Sequence, residues 1–253
     1  MNDNKTSKNS IVAKFAVPIS FLILFFLAAN FTDCDLVTFW KRRSHLTDLV
    51  VDMIPPDFSY IQKILLPLFY TIQMSVTGTV LGTFFALVLS PFGAANLGFP
   101  AVIRRILRIV IQILRSFPAL ILALTATFLF GLGTFAGTFA ITLYTFAIMT
   151  KLTYEDASAA DVKAYQALQA MGVSKYVAYI HGILPEIIPG FLTNALYLLE
   201  TNVRHSSILG YVGAGGIGLL LDEKISWLEY DKVGTILLML FLTVCVIEYF
   251  SRY

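Results

Sequence analysis

Three long stretches of this chain, 64–103, 116–150 and 233–247, contain no Asp, Glu, Lys or Arg. A soluble domain spreads its charges, which make up about 25% of its residues. Here charged residues are 13% of 253, hydrophobic residues are 57%, and the mean hydropathy is +0.77. Uncharged runs of this length are stable only where they are buried on all sides. Inside a bilayer the helix is the element that satisfies its own backbone polar groups. The expected class is therefore an all-α integral membrane protein lying in a lipid bilayer. A formal charge of +2, with no basic run interleaved with aromatics, argues against nucleic acid.

Cys34 and Cys245 are far apart and lack metal-ligand spacing, so both read as small apolar residues. His45 and His181 are isolated and read as loop or interfacial residues. There is no H-E-x-x-H, no G-x-S-x-G and no carboxylate cluster within a span, so neither a cofactor nor catalysis by the chain itself is expected.

Along the chain, about six transmembrane helices are expected. Residues 1–10 are polar, with Lys5 and Lys8, and read as a cytoplasmic tail. The apolar run 11–31 reads as a retained anchor helix, being longer than a signal-peptide core and lacking a clear small-x-small cleavage site. Residues 32–64 form a charged external loop containing Pro55-Pro56, and 65–250 the membrane core. Within that core, spans are expected over about 65–89, from after Arg104, Arg105 and Arg108 to near 130, and over about 134–150, 187–209 and 233–250. Turns fall at 90–100 and at Gly131-Leu132-Gly133. With the N-terminus inside, the cytoplasmic segments hold ten basic residues: Lys5, Lys8, Lys14, Arg104, Arg105, Arg108, Lys151, Lys163, Lys175 and Arg252. The external loops hold six: Lys41, Arg42, Arg43, Lys63, Lys224 and Lys232. The positive-inside rule then puts both termini and the segment 151–186 in the cytoplasm, and the Gly-rich segment after residue 209 at the outer side.

The segment 164–185 carries the most information. Ala164, Ala167, Leu168 and Ala170 favour a short helix ending near Gly172. A second amphipathic piece follows, and Pro185 opens the next membrane helix, where its missing N–H costs nothing. A helix–Gly–helix of this kind can dock in a groove of a soluble partner; the alternative is an ordinary interhelical loop. Its spacing resembles the EAA loop of ABC importer permeases, E-A-A-x3-G-x9-I-x-L-P. The matches are Gln166-Ala167-Leu168, Gly172 and Leu184-Pro185. Gln166 stands for the usual Glu, Leu168 for the second Ala and Gly182 for the Ile.

A second run, LYLLETNVRHSSILGYVGAGGIG over 196–218, resembles the phosphonate-type permeases, whose pattern is close to LYR-x-E-x-NVR-x-S-x-x-LG-x-VGAGGIG. Arg115-Ser116-Phe117-Pro118 and Gly131–Gly137 resemble that family's R-[ST]-x-P and GLGPFAG, with Leu198 for an Arg and Thr134 for a Pro. The resemblance covers about 65–250 and implies a type I ABC importer permease of the bacterial cytoplasmic membrane. It further implies a permease homodimer with alternating access and two copies of a separate ATP-binding subunit gripping Gln166, Ala167, Gly172, Leu184 and Pro185. An extracytoplasmic substrate-binding protein and a phosphonate, phosphite or phosphate substrate complete what it implies. The chain has no G-x-x-x-x-G-K-[ST] loop with which to bind ATP itself.

Gly213-x-Gly215-x-x-Gly218 satisfies the dinucleotide fingerprint, but it lies between membrane spans and outside any βαβ unit. Gly213, Gly215, Gly216 and Gly218 read instead as allowing close helix approach or a non-helical turn at membrane depth. In the fifth span, Glu200, Asn202 and Arg204 interrupt apolar sequence. Charges there cost on the order of 2.5–3.5 kcal/mol each, so they face a cavity or one another. Glu200 and Arg204, spaced i,i+4, either form a structural pair or line an oxyanion path with Asn202, Glu200 orienting the guanidinium. An ion-coupled transporter or channel using the same pair is the competing function; it predicts paired broken helices, and only one interrupted span is visible.

Overall fold

The computed structural model describes residues 3–32 and 40–251, with side chains in the first helix described at Ala16 and from Pro18 onward. The readings of Lys5, Lys8, Lys14, Cys34 and Arg252 fall outside what is described. The chain divides into two units, Met1–Asp52 and Met53–Tyr253. The first holds α1 (Asp3–Phe31), with an apolar stretch over Pro18–Phe31, and α2 (Arg43–Asp52), which buries no residue.

The second unit opens with Asp57, whose carboxylate accepts from the Ser59 N–H at 3.0 Å and the Ser59 hydroxyl at 2.6 Å, capping a 3-10 turn over Phe58–Tyr60. Then follow α3 (Ile61–Gly93), α4 (Ala101–Ser116), α5 (Ala119–Phe130) and α6 (Thr134–Ala159). The hairpin α7 (Lys163–Ala170) and α8 (Lys175–Gly182) leads into α9 (Leu184–Leu209). A 3-10 turn, Gly210–Val212, precedes α10 (Ile217–Ser226) and α11 (Tyr230–Ser251). The described residues contain no strand.

Three helical segments are long and apolar enough to cross a membrane: Phe58–Gly93, Thr134–Ala159 and Tyr230–Ser251. Among the described residues the number is up to five if each of two bent pairs is one span: α4 with α5 at 94°, and α8 with the stretch Leu184–Val212 at 68°. The third span, expected to end near residue 130, is one of these bent pairs. The chain breaks at Phe117-Pro118, where the proline ring disfavours helical backbone in the residue before it: Phe117 is extended, at φ −87 and ψ 126. The span expected to stop at residue 150 runs on to Ala159, carrying Lys151 and Glu155 as an i,i+4 ion pair at 3.3 Å. The loop expected before the last span contains α10.

The centre of the unit is the α3–α6 pair. Gly78 and Gly82, a G-x-x-x-G, face α6 so closely that side chains have no room. A Cβ at Gly78 would lie 2.6 Å from Ile141 Cγ2, and one at Gly82 would lie 2.8 Å from the Thr142 carbonyl. Beside the glycines, Thr71, Ser75, Thr79 and Thr83 recur every fourth residue, each hydroxyl donating to the carbonyl one turn back. All four are buried. With their donors satisfied along their own helix, the Thr71 and Thr79 oxygens are available as acceptors for neighbouring segments.

Candidate functional site

The 163–182 hairpin is fixed firmly on one side. Asp161 accepts from the Lys163 backbone N–H and from its ammonium, both at 3.0 Å, and these bonds hold its carboxyl below the usual carboxylate range. The buried Tyr165 hydroxyl donates to the Leu97 carbonyl at 2.6 Å, Tyr179 pairs with Ser90 at 3.3 Å, and Lys175 donates to the Gly98 carbonyl. Tyr165, Ala178, Tyr179 and Ile183 form one apolar cluster with Ala94, Leu97 and Ala157. The helix α7 ends in a Schellman motif, with Val173 N–H to Leu168 O at 3.2 Å and Gly172 N–H to Gln169 O at 2.9 Å. Gly172 supplies the left-handed backbone there, at φ +85. Gly182 is needed for a different reason: a Cβ would lie 2.8 Å from the Tyr165 backbone nitrogen. The departure from the EAA pattern at this position therefore follows from how tightly the two short helices cross.

The opposite side of the hairpin is open. Gln166, Ala167 and Gly172 are exposed, and nothing lies within 4 Å of a Cβ built at Gly172. Met171 is 71% exposed, with Val177 and Ile180 exposed beside it. Leu184 is half-buried and Pro185 is exposed at the first turn of α9.

Glu200, Asn202 and Arg204 do not share a face of α9. Asn202 is fully buried, its amide nitrogen donating to Thr79 Oγ1 and Thr145 Oγ1, each at 2.8 Å. Ser206, one turn on, accepts from Ser75 at 3.2 Å. These bonds set residues 202–206 level with Thr79 and Ser75, half-way along the Phe58–Gly93 span. At that depth, on the other side of the helix, Arg204 pairs with Glu200. The Arg204 side chain is 52% exposed and that of Glu200 14%.

The Gly-rich segment is also at membrane depth. Ile217 N–H donates to Thr71 Oγ1 at 2.7 Å, and Gly133 N–H to the Gly213 carbonyl at 2.9 Å. Gly213, Gly215 and Gly216 have φ between +72 and +79. At Gly218 a Cβ would meet the Ser207 carbonyl at 2.0 Å, so the start of α10 crosses the end of α9 backbone to backbone. The segment is a folded turn packed against Thr71 and Gly133, outside any βαβ unit.

One feature was not singled out from the sequence. A cavity of about 310 Å³ sits at the α4–α5 break, lined by Pro118, Tyr144, His205 and Leu209 among others. The His205 and Tyr144 rings meet edge to face at 5.4 Å. His205 occupies a free position of the N-V-R-x-S pattern, so its spacing carried no signal, although it adjoins Arg204. His45 and His181 are exposed, and the described residues hold no cluster of three or more metal-ligating side chains.

A helix-only core with several apolar helices long enough to cross a membrane, and a hairpin anchored on one side and open on the other, describe a multi-pass membrane protein. The family described as binding-protein-dependent transport system inner membrane component matches residues 78–251, and the chain belongs to it. The phosphite transport system permease protein PtxC of Stutzerimonas stutzeri is 30% identical over 217 residues, covering 86% of this chain and 79% of that protein. The phosphate-import permease protein PhnE of Mycolicibacterium smegmatis is 31% identical over 200 residues, 79% of this chain and 38% of that protein. An inward-facing structure of the MetNI methionine ABC transporter shares the fold, with a TM-score of 0.68 and 21% identity over 78% of this chain and 96% of that one. The protein is thus a multi-pass ABC-transporter permease of type I architecture, a component that is not itself catalytic.

Proposed function

We propose that two copies of this chain form the pathway of an importer for a phosphorus oxyanion: phosphonate, phosphite or phosphate. Two copies of a separate ATP-hydrolysing subunit dock on the open side of the 163–182 hairpin, through Gln166, Ala167, Met171 and the turn at Gly172, with Leu184 and Pro185 carrying the motion into α9. An extracytoplasmic binding protein delivers substrate from the other side, and both termini lie in the cytoplasm. The observation that carries the reading is the Arg204–Glu200 pair, whose guanidinium is exposed on one face of a single chain at mid-span while the carboxylate behind it is mostly buried. Lipid is a poor cover for such a face, at a cost on the order of 2.5–3.5 kcal/mol per charge. A second copy enclosing a polar path removes that cost. A guanidinium pairs bidentately with phosphorus oxyanions, and the two relatives are named for phosphite and phosphate transport. Asn202 contributes by tying α9 to α3 and α6, which fixes the rotation that aims Arg204 outward.

The test is uptake of labelled phosphite, phosphate and methylphosphonate into proteoliposomes holding the permease, its ATPase subunit and its binding protein. Uptake of at least one is expected to require ATP hydrolysis. Arg204→Ala should abolish it in an assembled complex, and so should the charge-free pair Glu200→Gln with Arg204→Gln. If the charge-free pair transports normally, the ion pair is only structural. Uptake driven by an ion gradient, without the partners, would overturn the importer reading in favour of a secondary transporter.

A further inference from the structure

The helix α4 is amphipathic along all 16 of its residues. At about 100° per residue, Arg104, Arg105, Arg108, Gln112 and Arg115 gather in one sector. The opposite sector exposes Val102, Ile103, Ile106, Ile109, Val110 and Ile113. Only Ile111 is fully buried, so the helix leans on the bundle along one flank and leaves both the apolar and the basic sectors open.

Two of the arginines are held in place. Arg108 Nε donates to the Gly93 carbonyl at 3.0 Å, with its guanidinium 5.1 Å above the Tyr154 ring, and Arg104 donates to the Ala95 carbonyl at 3.3 Å. Neither these two nor Arg105 has a carboxylate within 4.0 Å among the described residues, although Lys151, Lys163, Arg204, Lys224 and Lys232 all do. The three line a cleft of about 290 Å³ with Ala101, Ile109 and Gln112. A ligand for this place offers phosphate to the guanidinium groups and hydrocarbon to the adjoining apolar stripe.

We infer that α4 binds an anionic phospholipid of the cytoplasmic leaflet, its phosphate in the Arg104–Arg105–Arg108 cleft and its acyl chains along Val102, Ile106, Ile109 and Ile113. The side of the membrane follows from the orientation proposed above. The 94° bend at Phe117-Pro118 supports the site, because it turns α4 away from the direction of α5. A straight continuation would carry the arginines along the axis of an apolar helix. Basic clusters near such a surface gain about 1 kcal/mol per side chain, roughly fivefold in binding.

The test is native mass spectrometry of the delipidated permease–ATPase complex, titrated with dioleoyl phosphatidylglycerol, dioleoyl phosphatidylcholine or glycerol 1-phosphate. Phosphatidylglycerol should bind at least fivefold tighter than phosphatidylcholine, and glycerol 1-phosphate should not compete at equal concentration. Arg105→Gln, at an exposed residue with no carboxylate partner among the described residues, should reduce phosphatidylglycerol binding about fivefold, and Arg105→Lys should restore most of it. Equal binding of the two lipids, an unchanged Arg105→Gln variant or saturation by glycerol 1-phosphate would each overturn the site. The last result would make it a free-phosphate site, and the first is also expected if another protein surface covers α4. ATP-driven uptake by the same preparation keeps the two readings apart: intact uptake without a lipid preference removes only this inference.

Discussion

At Gly172 the backbone is left-handed and the space around it is open; at Gly182 the space is filled by the Tyr165 backbone. Substitutions should therefore fail differently. Gly172→Val strains the Schellman turn by on the order of 1–2 kcal/mol, and should lower the ratio of transport to ATP hydrolysis while the complex still assembles. Gly172→Asn, which tolerates that backbone, should keep most of the coupling. Gly182→Leu should instead displace α8 from α7 and lower the yield of assembled complex. Coupled transport unchanged in Gly172→Val would remove this turn from the docking surface. Gly172 was legible because the turn needs it locally. The need at Gly182 depends on a contact with a residue 17 positions earlier, which only the crossing of two helices creates. The division between Asn202 and Arg204 was within reach of the sequence: two residues apart on a helix, they point about 200° away from one another.

The largest difference between expected and observed elements is the third span, and its cause was written in the chain. Phe117 precedes a proline, and four arginines crowd one sector of the 16 residues before it. Uncharged length alone, from 116 onward, hid that signal. The α3–α6 interface was similarly available as Gly78-x3-Gly82, yet the motif says nothing about which helix it meets. Because Gly82 lies against backbone atoms of α6, Gly82→Leu should separate the pair; sharply reduced monodisperse complex after detergent extraction is the expected result. Asn202→Leu is milder. It removes two hydrogen bonds to threonines worth about 0.6 kcal/mol each inside a membrane, so the unfolding midpoint of the complex should fall by a few degrees, with transport reduced in proportion to assembly. A wild-type midpoint with lost transport would make Asn202 a pathway residue instead.

Within the second unit, the two ends of α3 pack against different parts of the chain. One end, at Ser90–Gly98, grips the hairpin through Tyr165, Lys175 and Tyr179. The other, at Tyr60, is surrounded by the ammonium groups of Lys63, Lys224 and Lys232 at 5.5–5.6 Å from the ring. With 33 residues and about 1.5 Å per residue, α3 is longer than a hydrocarbon core of about 30 Å. The hairpin and the α10–α11 turn must then emerge on opposite sides. Charge counting puts the hairpin inside, and an independent readout is available from two exposed residues, Met171 and Trp227, each over 70% exposed. In a chain with Cys34 and Cys245 replaced by Ala, Met171→Cys should react with a membrane-impermeant maleimide only after the cytoplasmic membrane is opened. Trp227→Cys should react in spheroplasts. The reverse pattern would place the ATPase-docking surface outside the cell, where no ATP is available to drive it, and would overturn the importer reading together with the leaflet assigned to α4. Labelling of both from one side would mean that α3 does not span, a result incompatible with the polar residues of α9 lying at mid-membrane depth.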